Sequence, residues 1–218
     1  GEESVAGMGL ANRILFVLLM IGSAFGVTAG IFIAQFAGAK KCHVIPVIIA
    51  QILIIAAAIM LPLMLLTSVF AQQLSQLGSD SDHVITVSSS YLSITLPSLL
   101  FLLVYQVFEG GLRGLKQVYV PLLFGAITMI LNIVLNFILI NGVSVGAQSV
   151  VAAMGTDGAA WATTVSRFLL LAGLLSYLLY KKHICLPSNS FVSLKNPECR
   201  WSKILGNGLP LTLNFGVW

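Results

Sequence analysis

The sequence predicts an all-α, polytopic membrane helix bundle, and three observations carry that prediction. Five apolar runs are each long enough to cross a bilayer, which takes about 20 residues per helix. Only 8% of the residues are charged and the mean hydropathy is +1.00, whereas a soluble domain carries about 25% charged residues. None of the runs alternates apolar and polar residues with a period of two, as the strands of a transmembrane barrel do. Backbone groups in lipid must then be satisfied inside helices.

The first run covers residues 12–37 and places Gly22, Gly26, Gly30 and Ala34 at intervals of four, continued by Gly38 just past its end. That face is almost free of side chains, which suits close packing against another helix. The second run, 44–70, starts near Pro46 and contains Pro62; the third, 84–108, contains Pro97. A proline inside a helix removes one hydrogen bond and crowds the preceding turn, so Pro62 and Pro97 are the expected hinge or cavity-shaping positions. Glu109 follows the third run, four residues before Arg113, and the spacing predicts an ion pair at the helix end.

The fourth run, 118–140, opens at Pro121 and carries Thr128, Asn132 and Asn136 at i, i+4 and i+8. That spacing makes a polar stripe on one face of an apolar helix, which calls either for interhelical hydrogen bonds or for a wet cavity. The fifth run, 158–180, holds Thr163 and Thr164 in its outer half, at the depth of Asn136, so these groups are expected to face one another. Arg167 lies near the middle of this run, where a cation costs at least ~2.5 kcal/mol unless it is paired or hydrated. No Asp or Glu lies at that depth in the visible runs, so its partner is expected on a helix outside this sequence, or to be backbone carbonyl or water.

A sixth run starts near Ser202, contains Pro210 and continues to Trp218, about 25 Å of helix, short of the ~30 Å hydrocarbon core. Between the fifth and sixth runs, Pro187, Ser188, Asn189, Asn196 and Pro197 mark a linker. The organisation expected is a helical lobe over 1–181, a linker over 182–201 and the start of a further helix over 202–218.

Orientation follows from the short loops, because cytoplasmic loops keep Lys and Arg. Lys40, Lys41, Arg113, Lys116, Lys181, Lys182, Lys195, Arg200 and Lys203 follow the first, third and fifth runs, while the loops 71–83 and 141–157 have no Lys or Arg. Residue 1 is therefore expected on the outer side of a cell membrane. With no initiator Met or signal pattern ahead of it, and with the abrupt far end, the chain reads as an internal fragment that follows an upstream helix.

The basic residues are spread over three loops and lack the aromatic interleaving of a nucleic-acid groove. Cys42, Cys185 and Cys199 lie in or beside cytoplasmic loops without CxxC spacing, which indicates neither a disulfide nor a zinc site. His43, His83 and His183 sit at membrane borders. No hydrolase, zincin, phosphate-loop or dinucleotide signature is present, so an enzyme is not expected.

The runs also carry local patterns. "VAGMGLANRI" with "GIFIAQFAGAKK" ending in Gln35, Gly38 and Ala39, then "GGLRGLKQVYVPL", "LNIVLNFILI", "GTDGAAWATTVSRFLLL" and "ILGNGLPLTLNFGVW", resemble successive segments of multidrug and toxic compound extrusion (MATE) transporters of the MOP flippase superfamily. The resemblance implies helices two to six of the amino-terminal lobe plus the opening of helix seven, out of twelve helices in two lobes around a cleft. It implies a cation-coupled antiporter, driven by H+ or Na+ and needing no other cofactor, which exports small-molecule drugs or organic cations. Such a protein is expected to contact membrane lipids, to bind no nucleic acid and to be a monomer at full length.

In that family, polar residues of the fifth helix and a hydroxyl of the sixth cluster with an acid of the first helix as a cation site. The matching positions here are Asn132, Asn136 and Thr163 or Thr164, with Arg167 beside them. Asn136 stands where some relatives have Asp, and the acid would belong to the upstream helix. The alternative is a flippase for a lipid-linked oligosaccharide or polysaccharide precursor, whose cavities use several cations; Arg167 is the one at mid-membrane depth.

Overall fold

The computed structural model describes residues 2–145 and 148–181. The expected linker 182–201 and the run from Ser202 lie outside the described residues.

Helix α1 spans Glu2–Gly38 and helix α2 spans Ile45–Val69, the latter entered through a 3-10 turn at Cys42–Val44. A short α3, Ala71–Gln76, precedes α4, Asp82–Thr95, and α5, Ser98–Gly114. Helix α6 spans Tyr119–Asn141 and α7 spans Gly155–Tyr180. Between α6 and α7, strands β1, Val143–Val145, and β2, Gln148–Val151, pair antiparallel with an irregularity after Val143. This hairpin occupies a loop the sequence left unstructured, and the spans themselves are all helical.

Four of these helices are long and apolar enough to cross a membrane, and α4 with α5, bent by 50° at their break, would make a fifth. At 37 residues α1 is about 55 Å long, more than the ~30 Å core requires. Of the two prolines expected to act as hinges, only Pro97 falls at a break; α2 runs continuously through Pro62.

Two helix ends are shaped by lysines. Lys40 and Lys116 adopt φ of 58° and 62°, the left-handed conformation that usually goes to glycine after a helix. Beyond each, a six-to-one bond closes the cap, from the Lys41 N–H to the Phe36 carbonyl at 2.9 Å and from the Gln117 N–H to the Leu112 carbonyl at 2.9 Å. A cation beside the free carbonyls of a helix end is favourable electrostatically.

By contact density the chain forms two compact units, each drawing on parts of the same helices. One contains the described residues of 1–18, 61–101 and 125–170, the other those of 19–60, 102–124 and 171–218. The first unit buries Leu15, Met64, Ile85, Leu92, Leu99 and Leu170, and joins α3 to α4 by a 2.9 Å bond between the buried hydroxyls of Ser75 and Ser88.

In the second unit Ile33, Ile48, Ile52, Val107 and Leu174 are buried, and α1 meets α5 through glycine. A Cβ on Gly26 would come within 2.7 Å of the Gln106 carbonyl oxygen, and one on Gly30 within 3.0 Å of the Gly110 carbonyl oxygen. Two helices with small residues every fourth position can bring their backbones this close. The contact extends through Ala34, whose backbone N lies 3.1 Å from a Cβ placed on Gly114; Gly38, by contrast, has open space around it. Glu109 and Arg113 form the expected pair at 3.5 Å, both partly exposed, so its contribution is below about 1 kcal/mol.

Candidate functional site in the first unit

Helices α4, α6 and α7 and the start of α5 supply the polar groups of the site in the first unit. Gly158 lets α7 approach the end of α6, since a Cβ there would lie 2.5 Å from the Leu139 carbonyl oxygen. The apolar side chains Ile130, Ile133 and Phe137 of α6 are exposed, as a lipid-facing surface requires, while Asn132 and Asn136 are half-buried.

The two asparagines of the stripe expected on the fourth run are hydrogen-bonded to each other and to α7. Asn136 donates from Nδ2 to Asn132 Oδ1 at 2.9 Å, and Asn132 donates from Nδ2 to Ser166 Oγ at 3.3 Å. Ser166 is 2% exposed. The stripe therefore meets α7 at Ser166, not at the two threonines that depth alone had placed opposite it. Thr163 donates to the Ala159 carbonyl of its own helix at 3.0 Å. Thr164 turns to α4 and donates to the Ile94 carbonyl at 3.2 Å.

Helix α4 and the first turn of α5 meet α7 in the same chain direction along a series of polar contacts. Ser90 donates to Asp157 Oδ1 at 3.0 Å, Thr164 bonds Ile94, and Arg167 Nη1 donates to Ser98 Oγ at 2.7 Å. The series ends in an edge-to-face contact of Phe101 with Phe168, ring centroids 5.4 Å apart. On the first partner the positions step by four, 90 and 94 on one face of α4 and 98 at the start of α5, so the contact with α7 carries across the break. Thr128, the first residue of the expected stripe, is half-buried.

At the break the backbone loses donors in a defined order. Pro97 has no N–H for the Ser93 carbonyl. The Leu99 N–H bonds the Leu96 carbonyl at 3.0 Å, not that of Thr95, and the Thr95 carbonyl accepts from Ser98 Oγ at 2.6 Å. Thr95 and Ser98 are fully buried, and Thr95 Oγ1 has no partner. Ser98 thus relays a guanidinium contact to a backbone carbonyl. Among the described residues no carboxylate pairs with Arg167, in keeping with the absence of an acid at its depth.

Residues 1–138 match the MatE family model. The chain belongs to the MATE family. Among curated proteins it is 25% identical over 183 residues to the probable multidrug resistance protein YoeA of Bacillus subtilis, covering 84% of this chain and 38% of that one. It is 26% identical to the multidrug export protein MepA of Staphylococcus saprophyticus, covering 88% of this chain and 40% of that one. The chain thus spans about two fifths of the length of these relatives.

Solved structures agree on the fold. A MOP superfamily transporter from Pyrococcus furiosus superposes with a TM-score of 0.82 at 21% identity, over 99% of this chain and 45% of that one. An outward-facing MATE family multidrug resistance transporter gives 0.82 at 21%, over 99% and 46%. This MATE chain is an integral, multi-pass membrane protein and not an enzyme.

Sequence reasoning missed three residues of the cluster. Ser166 had a signal, since it lies three positions after Thr163 on α7, where i and i+3 share a face. Ser98 and Thr95 had none beyond lying next to Pro97, because their importance arises from carbonyls that only the break leaves free.

Proposed function

We propose that the protein forms the amino-terminal lobe of a cation-coupled multidrug efflux antiporter in a cell membrane, exporting amphipathic or cationic organic compounds in exchange for H+ or Na+ by alternating access. In this reading α1 to α7 supply helices two to six, 182–201 links to the second lobe and 202–218 opens helix seven, with residue 1 on the outer side. Membership of the MATE family supports it, as do relatives named for multidrug export.

The observation that carries the reading is the hydrogen-bonded line Asn136, Asn132, Ser166 between two membrane-spanning helices. Amide and hydroxyl oxygens are neutral hard donors suited to Na+, and Thr163 and Thr164 can add lone pairs, because a hydroxyl that donates one bond still accepts. None of these groups titrates near neutral pH, so H+ coupling requires a carboxylate from elsewhere in the transporter. Binding would shift the equilibrium between inward- and outward-open states by its differential affinity for them.

Drug uptake into membrane vesicles carrying the full-length transporter, driven by a pH gradient or by a Na+ gradient, tests the coupling. One gradient is expected to drive uptake, and N132A and N136A to abolish it at normal membrane expression. Unchanged uptake in both variants removes these residues from the site.

A further inference from the structure

Arg167 is a fixed cation in a span, and its chemistry rules out the role its neighbours suggest. A guanidinium has five donors and no acceptor, so it cannot ligate a coupling cation. It stays charged at any physiological pH, so it cannot pass a proton. Its contact is instead the 2.7 Å bond to Ser98 Oγ, and Ser98 passes that bond on to the Thr95 carbonyl at 2.6 Å. One turn earlier on α7, Thr164 takes the Ile94 carbonyl. Two side chains three positions apart on one helix thus reach two successive carbonyls on another, Thr164 directly and Arg167 through Ser98, both at the break that Pro97 creates.

We infer that Arg167 is a positioning residue which, with Thr164, clasps the break between α4 and α5 and sets its angle during transport. The inference rests on the proposed transport function for its consequence, but not for its geometry. A proline break is a place where a helix can change direction with few hydrogen bonds at stake, and discontinuous helices are the moving or site-forming parts of many transporters. The hydroxyl of Ser98 makes this break addressable: it is fully buried, its acceptor side faces Arg167 and its proton goes to the backbone. Releasing Arg167 would leave both a buried hydroxyl and a membrane-embedded charge short of a partner, so the clasp favours one bend over the alternatives. The charge also serves the bond itself, because charge-assisted hydrogen bonds are shorter and stronger than neutral ones.

The test uses the full-length transporter in vesicles and in detergent, with R167Q, R167K, S98A, T164V and the double variant R167Q/S98A. Turnover is expected to fall at least tenfold in R167Q and S98A, no further in the double variant, and to recover in part in R167K, which keeps a cationic donor. In R167Q, R167K and S98A the drug KM and the half-saturating ion concentration stay within twofold of the native values, because Arg167 and Ser98 touch neither ligand. T164V, which deletes the second bond but keeps the shape, also lowers turnover.

Melting temperatures read the clasp without transport. S98A is expected to lower the melting temperature in the native background and to leave it unchanged in the R167Q background. Additive losses in turnover or in melting temperature in the Arg167 and Ser98 variants overturn the inference, as does a shift in KM or ion dependence in R167Q or S98A with turnover intact. Absence of uptake in the native protein under both gradients would overturn the transport reading alone, and the melting-temperature cycle would still decide the clasp.

Discussion

A Cβ on Gly110 would run into the carbonyl oxygen of Gly26, so at this point α1 and α5 touch backbone to backbone. Overpacking a close contact costs about 1–3 kcal/mol, and G110A is therefore expected to destabilise the protein by that amount in a detergent melting experiment. Gly9 lies in the same α1 with nothing within 4 Å of its virtual Cβ. G9A should be neutral or stabilising by up to ~1 kcal/mol, since alanine is the better helix former. Equal effects at the two positions would show that the crossing is looser than described.

The bond from Asn132 to Ser166 joins α6 to α7 at 3.3 Å. Interhelical hydrogen bonds in membranes are worth about 0.6 kcal/mol on average and about 1.7 at most. A double-mutant cycle of N132A and S166A should give a coupling in that range, while a cycle of N132A with T163V should give none, because Thr163 bonds its own helix. A larger coupling to Thr163 would revive the arrangement inferred from depth.

Pro62 and Pro97 differ in context, and so should their replacements. P62A restores the N–H that the Ala58 carbonyl lacks inside an unbroken α2, and the melting temperature is expected at or above the native value with drug uptake intact. P97A offers the same N–H to Ser93 at a 50° break, which favours a continuous helix. Uptake should fall at least tenfold while membrane expression persists. Uptake unaffected by P97A would show that the break is not used.

Lys116 holds a left-handed conformation with φ of 62°, which costs a non-glycine residue about 1–2 kcal/mol. K116V adds β-branching where it is least tolerated and should lower stability by about 1 kcal/mol or more. K116G should match or exceed the native protein, with the lost cation at the helix end offsetting part of the gain. Urea or thermal unfolding of the two variants side by side reads the difference.

Much of the fold was legible in the chain. Apolar length identified the spans because a bilayer demands about 20 residues per helix whatever the sequence, and the four-residue spacing of Gly22, Gly26, Gly30 and Ala34 announced a close crossing because i and i+4 share a face. The ion pair of Glu109 with Arg113 followed from the same geometry. These are local properties, set by helix periodicity and by the solvent around the helix.

The partners across helices were not legible. Depth placed Asn136 opposite Thr163 and Thr164, but rotation of α7 about its axis brings Ser166 to the stripe and turns Thr164 to α4 and Arg167 to the first residue of α5. One residue along a helix is a 100° change of direction, and no local rule sets that rotation; packing of neighbouring helices does. Both prolines looked alike in sequence, yet only Pro97 lies at a break, where Ser98 donates to the Thr95 carbonyl and Thr164 of α7 to that of Ile94. The sequence by itself thus determined the helices, their small-residue face and the polar stripe. Tertiary structure alone decided which hydroxyl meets which amide, and that the charge of Arg167 is met by Ser98 at the break.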